Sequence, residues 1–259
     1  MQEMTAPKLM GAWHNGFRMW NGCSPKKGIT YTHFLDQAIT HARKYSMKHV
    51  LTQIQKKFGI REFPHAMFYE FEYALRFDLG GSKFGTNRPV RRFLHALERA
   101  NAISQTLFET SSEIYLLLSS YGEAQPNKRR FKPFQNCGLA HSEFNYLGKT
   151  PQNDEDHKAE FKTDLFRHWD IVRLNDKQII TEILWLCIAP EIGVRPCVDN
   201  SDAYLVDIDN GIALHVYDDR GMDIVSTVKE PMLDIFKEYR EWLLNYDLDR
   251  MTAKFRPEV

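Results

Sequence analysis

The stretch YLVDIDNGIALHVYDDRGMDIV, residues 204–225, decides the fold. Three short runs of apolar and β-branched residues are separated in it by turn residues, which is typical of strands. The first separator is DNG at 209–211, and Asn-Gly accepts the positive φ angles of a tight hairpin turn. The second is DDRG at 218–221, in which we place Gly221 at a left-handed position. The stretch therefore predicts three consecutive antiparallel strands.

The flanking segments predict helices and further strands. Partial alternation over residues 74–79 and a buried apolar run over 113–121 indicate strands, and we also predict a strand at 169–174 and a short extended segment near 141–147. Apolar residues recur at helical spacing after Pro89 and again from Glu230 to Asn245. We therefore predict an α+β fold in which antiparallel β-meanders are covered by helices.

The chain divides into an extension and a larger domain. Residues 1–60 combine a glycine- and aromatic-rich loop with a basic helix, and we treat them as an N-terminal extension. Residues 61–259 form the predicted α+β domain. Gly, Pro, Asn and charged residues are frequent over 122–159, so two halves of this domain are expected to meet there.

The formal net charge of zero hides a gradient along the chain. Residues 1–60 carry +7, residues 61–150 carry +3 and residues 151–259 carry −10. An acidic surface repels nucleic acid and attracts basic proteins. The gradient therefore favours a basic protein over nucleic acid as the partner, with the alternative that the basic and acidic ends neutralise each other within the fold.

The remaining composition favours a cytoplasmic protein. The four cysteines form no C-x-x-C pair, no apolar run approaches the roughly 20 residues of a membrane span, and the start lacks a signal-peptide pattern. No phosphate-binding loop, dinucleotide fingerprint or H-E-x-x-H pair occurs. We therefore expect no membrane segment, no cofactor and no metal site.

The acidic turn has three interpretations. Asp218, Asp219 and Asp223 can serve a structural turn together with Arg220 and Gly221, because Asp accepts backbone hydrogen bonds and Gly fits tight turns. They can instead form a partner-binding edge. Paired carboxylates can also hold a divalent metal or transfer protons, as in an active site.

A second charged pair precedes the turn in the chain. Arg76 and Asp78 lie two positions apart on a predicted strand, so they share one face. We expect both to take part in structural ion pairs, with Arg99 or Arg220 as the other member.

Three stretches carry a resemblance to a known family: LRFDLGG (75–81), RANAISQTLF (99–108), and HVYDDRGMDIV with YREWLLNYDLDRM (215–225 and 239–251). Over residues 63–255 the chain resembles a bacterial domain family of unknown function with a Tyr-Asp-Asp-Arg-Gly-Met/Leu-Asp signature. Small α+β families of this kind often occur as immunity proteins beside toxins, including those of contact-dependent growth inhibition. The resemblance thus implies a non-enzymatic immunity protein.

The leading hypothesis is that the protein binds and neutralises a toxin, with a basic nuclease as the expected partner. Acidic side chains would meet the Lys and Arg residues that such a nuclease uses for phosphate. The predicted partner-binding residues are Asp154, Glu155, Asp156, Asp218, Asp219 and Asp223.

Two alternatives remain open. An RNA-binding protein would use the basic N-terminal helix and the 127–134 loop, NKRRFKPF, in which arginine reaches phosphate and phenylalanine stacks on bases. A metal-dependent enzyme would use Asp218, Asp219 and Asp223.

Overall fold

The computed structural model describes residues 49–81, 84–85, 87–152 and 165–256. Seven strands of this part of the chain join in one antiparallel sheet, which confirms the α+β class: β1 (Tyr73–Asp78), β2 (Ile114–Gly122), β3 (Asn145–Pro151), β4 (Phe166–Leu174), β5 (Ser201–Asp207), β6 (Ile212–Val216) and β7 (Gly221–Ser226). Their order across the sheet is β1-β7-β6-β5-β2-β4-β3.

Helices cover this sheet. They are α1 (residues 49–58), α2 (Met67–Glu70), α3 (Pro89–Leu107), α4 (Lys132–Gln135), α5 (Ile179–Ile188), α6 (Glu230–Glu238) and α7 (Leu248–Phe255). Helix α3 packs against α5, where the Phe93 and Trp185 rings meet edge to face with centroids 4.4 Å apart. Helices α2 and α6 both contact β1 and β7. Among the described helices, none combines the length and apolar character that crossing a bilayer requires.

The predicted three-strand meander is confirmed as β5, β6 and β7. In the connection 208–211 Gly211 has φ +67°, whereas Asn210 has no positive φ, so only one of the two positive φ angles of a tight Asn-Gly turn is present. The Asp207 carboxylate accepts hydrogen bonds from the backbone and side-chain amides of Asn210 in the same turn. Every residue of β6 and β7 is buried, so both faces of the sheet are covered at this point.

The predicted left-handed conformation of Gly221 is wrong. Its φ is not positive. A Cβ at this position would instead lie 2.0 Å from the Tyr217 hydroxyl oxygen and 2.5 Å from Cζ of the same ring. Glycine is therefore required because the Tyr217 ring lies against the backbone, and not because of a turn angle.

The final long helix ends earlier than predicted. Helix α6 stops at Glu238, and two 3-10 turns follow at Arg240–Trp242 and Asn245–Asp247. Leu243 forms an isolated antiparallel bridge with Phe77, and the Leu244 N–H donates to the Arg76 carbonyl at 2.9 Å. Continuing the helix would forfeit these bonds to the outer strand β1, and an uncovered outer strand exposes unpaired backbone groups.

Strands from both sides of the 122–159 segment interleave in the sheet. Strand β2 precedes this segment and pairs with β4 and β5, which follow it. The predicted N-terminal loop and most of the basic helix lie outside the described residues. Of the helix, residues 49–58 are described, and they place Val50, Ile54 and Phe58 in the core.

Candidate functional site

The DDRG turn is organised around the Asp218 carboxylate. Its Oδ1 accepts the backbone N–H groups of Arg220 at 2.7 Å and Gly221 at 3.2 Å, and its Oδ2 accepts the Arg220 guanidinium. A carboxylate that accepts the amides two and three residues ahead stabilises a turn locally. Asp218 itself is buried.

The neighbouring Asp219 anchors the turn to helix α3. Its carboxylate accepts a hydrogen bond from Nε of Arg92, and Nη1 of the same guanidinium donates to the Phe84 carbonyl at 3.2 Å. A Cβ on Gly80 would lie 2.4 Å from the Arg92 guanidinium, so this glycine leaves room for the arginine. The turn and the helix are thereby joined by a buried ion pair.

Asp223 is fully buried, and its carboxylate binds Arg76 in a bidentate arrangement. Nε and Nη2 of Arg76 donate at 2.7 and 3.0 Å, and the Phe68 N–H donates to Oδ2 at 3.0 Å. Burial disfavours the charged guanidinium. The hydrogen bonding and charge of Asp223 outweigh that cost, so the pKa of Arg76 lies above its ordinary value.

Asp78 has a different role from that of Arg76. Its carboxylate accepts the Gly81 N–H at 2.9 Å, and its backbone carbonyl accepts the Arg99 guanidinium. Arg220 pairs with Asp218 and not with Asp78. Arg76, by contrast, pairs with both Asp223 and Asp247.

The acidic residues predicted to bind a partner therefore occupy two different settings. Asp218, Asp219 and Asp223 are buried, and each carboxylate already has an arginine partner. Asp154, Glu155 and Asp156 lie outside the described residues. Much of the negative charge of residues 151–259 is internal, because seven aspartates there are buried: Asp170, Asp202, Asp207, Asp218, Asp219, Asp223 and Asp247.

The basic 127–134 loop is also partly internal. Phe131 and Phe134 are buried, so neither ring is presented for stacking on a base. Arg130 forms a bidentate pair with Asp170 at 2.7 and 2.9 Å, and its guanidinium lies 4.0 Å from the Phe131 ring centroid. Arg129 and Lys132 line a groove of about 700 Å³ beside this loop.

An exposed aromatic surface adjoins the buried Arg76–Asp223 pair. We call it the Tyr246 patch, and it consists of Tyr69, Glu70, Tyr246, Asp249 and Arg250, all exposed. Tyr246 is 87% exposed, although Trp242, Leu243, Leu244 and Asp247 of the WLLNYD segment are buried or half-buried. The sequence did not single out this tyrosine, because its spacing matches that of a core residue in a continued helix.

Contacts beneath the patch hold its two segments together. The Tyr69 hydroxyl lies 3.4 Å from both carboxylate oxygens of Asp247. Arg76 reaches the same carboxylate at 3.6 Å, and its guanidinium lies 4.7 Å from the Tyr69 ring centroid. The Arg250 guanidinium lies 5.5 Å from that centroid. The patch therefore rests on a packed cationic and aromatic support.

Comparisons with known proteins agree with the resemblance of the sequence to a family of unknown function. The family described as domain of unknown function (DUF3885) matches residues 50–247. The uncharacterized protein YnaE of Bacillus subtilis (strain 168) is 21% identical over 207 residues, which cover 74% of this chain and 96% of that protein. No solved structure matches significantly.

Proposed function

The chain belongs to the family described as domain of unknown function (DUF3885), and on that premise we propose that it is a non-enzymatic immunity protein of the bacterial cytoplasm. In this proposal it binds and neutralises a protein toxin, and the partner class is a basic nuclease. The observation that carries the proposal is the exposure of Tyr246 on a well-packed support.

Exposed tyrosine and arginine suit a contact with another protein. Both residue types are enriched among the few side chains that supply most of the affinity in protein interfaces. A tyrosine ring offers a large apolar area with only two side-chain torsions to fix. Its hydroxyl can also form a hydrogen bond within the interface. Tyr246 and Tyr69 provide the exposed rings, and Arg250 provides an exposed guanidinium that lies over the Tyr69 ring.

The charge around the patch favours a basic partner. Glu70 and Asp249 are exposed at its rim, and Glu72 next to it pairs with Lys254 at 2.9 Å. Such a rim attracts the Lys and Arg residues that a nuclease uses to hold phosphate, which speeds association and blocks the substrate site. Asp154, Glu155 and Asp156 add further negative charge in this proposal. Asp218, Asp219 and Asp223 contribute by fixing the scaffold, since their carboxylates are buried.

The test is binding to the product of the neighbouring reading frame. The full chain, Tyr246→Ala and the control Val90→Ala are compared by calorimetry and by survival of cells that co-express the neighbour. Val90 is an apolar residue on α3 that is 67% exposed. We expect Tyr246→Ala to weaken binding about 30-fold, the loss of about 2 kcal/mol typical of an interface anchor, and to abolish protection. Val90→Ala should bind as the wild type does.

A neighbouring product that is not toxic, or that does not bind the wild-type chain, removes the proposal. Binding that Tyr246→Ala leaves unchanged would place the contact on another surface.

Charge reversal tests the partner class separately. The double variant Glu70→Lys, Asp249→Lys should slow association by about 10-fold or more at low salt, because it replaces attraction with repulsion. Glu123→Lys is the matched control, since Glu123 is exposed beyond the end of β2. A faster association of the double variant would indicate an acidic partner.

A further inference from the structure

We infer that His65, Asp202 and His215 form a binding site for one divalent transition-metal ion of the zinc class. The inference goes beyond the proposed function, and it is measurable on the chain without a partner. His65 precedes Asp202 by more than a hundred positions, so no spacing motif in the sequence indicates the three residues.

The fold brings three ligand atoms together on one face of the sheet. Nδ1 of His65 lies 3.1 Å from Oδ1 of Asp202, and Nε2 of His215 lies 3.8 Å from the same oxygen. The three ligand atoms all lie within 4.8 Å of one another. Zinc–ligand bonds of about 2.0–2.1 Å in a tetrahedron separate neighbouring ligand atoms by about 3.3 Å. Small rotations of the side chains therefore suffice to enclose an ion.

The outer contacts of these residues orient them as ligands. Nδ1 of His215 lies 3.2 Å from the His65 carbonyl, which accepts only, so the neutral ring has its lone pair on Nε2 toward Asp202. The ring is also stacked on Tyr204, with centroids 4.5 Å apart.

The Asp202 carboxylate divides its two oxygens between support and ligation. Oδ2 accepts the Tyr121 hydroxyl at 3.1 Å and lies 3.5 Å from the Arg167 guanidinium. Oδ1 is left facing the two imidazole rings. Supporting hydrogen bonds to the non-ligating atoms of a site are a regular feature of metal centres.

The donor set selects the class of ion. Two imidazole nitrogens and one carboxylate oxygen suit zinc, cobalt, nickel and copper, whereas magnesium and calcium prefer oxygen ligands throughout. His65 is exposed, with 64% of its side chain accessible. The open side of the site therefore leaves a fourth position for water, as three-ligand zinc sites do.

The test uses the full chain after treatment with EDTA. Zn²⁺ and Mg²⁺ are compared by thermal unfolding and calorimetry, and Co²⁺ is added as a spectroscopic probe. We expect one equivalent of Zn²⁺ to bind at this site and to raise Tm, since an ion that binds only the folded chain stabilises it. Mg²⁺ should give no shift.

Variants of His65 identify the ligand without disturbing the core, because this side chain is exposed. His65→Ala should weaken the Zn²⁺ site by at least about 10-fold and lower the Co²⁺ absorption. His65→Cys should still bind one equivalent of the metal ion, and its Co²⁺ form should show an added sulfur-to-cobalt absorption band in the near ultraviolet. His141→Ala is the control, since His141 is also an exposed histidine of the described chain.

The expected pattern is loss with His65→Ala, retention with His65→Cys and no change with His141→Ala. The inference is overturned by a wild-type chain that binds no Zn²⁺, by His65→Ala binding Zn²⁺ as the wild type does, or by an equal response to Mg²⁺.

Discussion

The DDRG turn and the Tyr246 patch differ in burial, and their compositions predict the opposite. The turn and the start of β7 are dense in charge, yet their three aspartates are buried and paired with arginines. The WLLNYD segment is mainly apolar, yet it presents Tyr246 to solvent. Partners distant in the chain decide which side chains are internal: Arg76 precedes Asp223 by 147 positions, and Arg92 precedes Asp219 by 127. A charged motif can thus be internal, while an aromatic residue of a mainly apolar segment is exposed.

The three aspartate–arginine pairs are themselves graded by the exposure of the arginine. The side chain of Arg76 is 12% exposed, that of Arg92 15% and that of Arg220 70%. Burying an ion pair costs desolvation energy, but removing one member of a buried pair leaves an uncompensated charge, so the penalty for breaking a pair rises with its burial.

Asp223→Ala should have the largest effect on stability. It leaves the buried Arg76 guanidinium and the Phe68 N–H without their acceptor, which we expect to cost about 3–5 kcal/mol of the free energy of unfolding. Urea denaturation of the variant and the wild type measures the loss. The double variant Arg76→Met, Asp223→Leu should recover part of it, because neither member of this pair is then left without the other, while Asp247 still loses its contact with Arg76. A loss below about 1 kcal/mol for Asp223→Ala would contradict the importance of the Arg76–Asp223 pair for stability.

Gly221→Ala should rank second. The added Cβ overlaps the Tyr217 ring, and such overpacking costs about 1–3 kcal/mol. The cost should fall when the ring is removed, so the same substitution is measured in a Tyr217→Ala background. Equal costs in both backgrounds would contradict the close approach as the reason for glycine.

Arg220→Ala should change stability by only about 0–1 kcal/mol. The guanidinium is largely exposed, and Asp218 keeps its two backbone hydrogen bonds without it. The same denaturation experiment applies, and adding salt should reduce the difference further. An effect as large as that of Asp223→Ala would remove the distinction between exposed and buried pairs.

Tyr246→Ala should have the smallest effect on stability, within about 0.5 kcal/mol, because the ring is almost wholly in solvent. Thermal unfolding measures this in the absence of any partner. Unchanged stability together with lost binding would sharpen the contrast between the turn and the patch. A large destabilisation would show that Tyr246 belongs to the fold.

Local signals in the sequence were sufficient for the meander and for helix α3. The hairpin turn has its positive φ at Gly211 and a local carboxylate acceptor in Asp207, and Pro89 begins the helix, as the spacing after it predicts. The end of α6 could not be predicted, because Leu243 and Leu244 have helical spacing but bond to β1. The burial of Asp219 and the meeting of His65 with Asp202 depend on contacts across the fold, for which no short pattern exists.

The pairing of residues 243–244 with β1 has a consequence for truncated chains. Its bridge to Phe77 and its bond to the Arg76 carbonyl occupy sites that would otherwise accept a foreign strand. A chain that stops at Tyr239 would leave these groups open, with the apolar side chains of the outer strand beside them. We expect such a product, whether made by proteolysis or by an early stop codon, to add to its own copies and precipitate as β-structured aggregates.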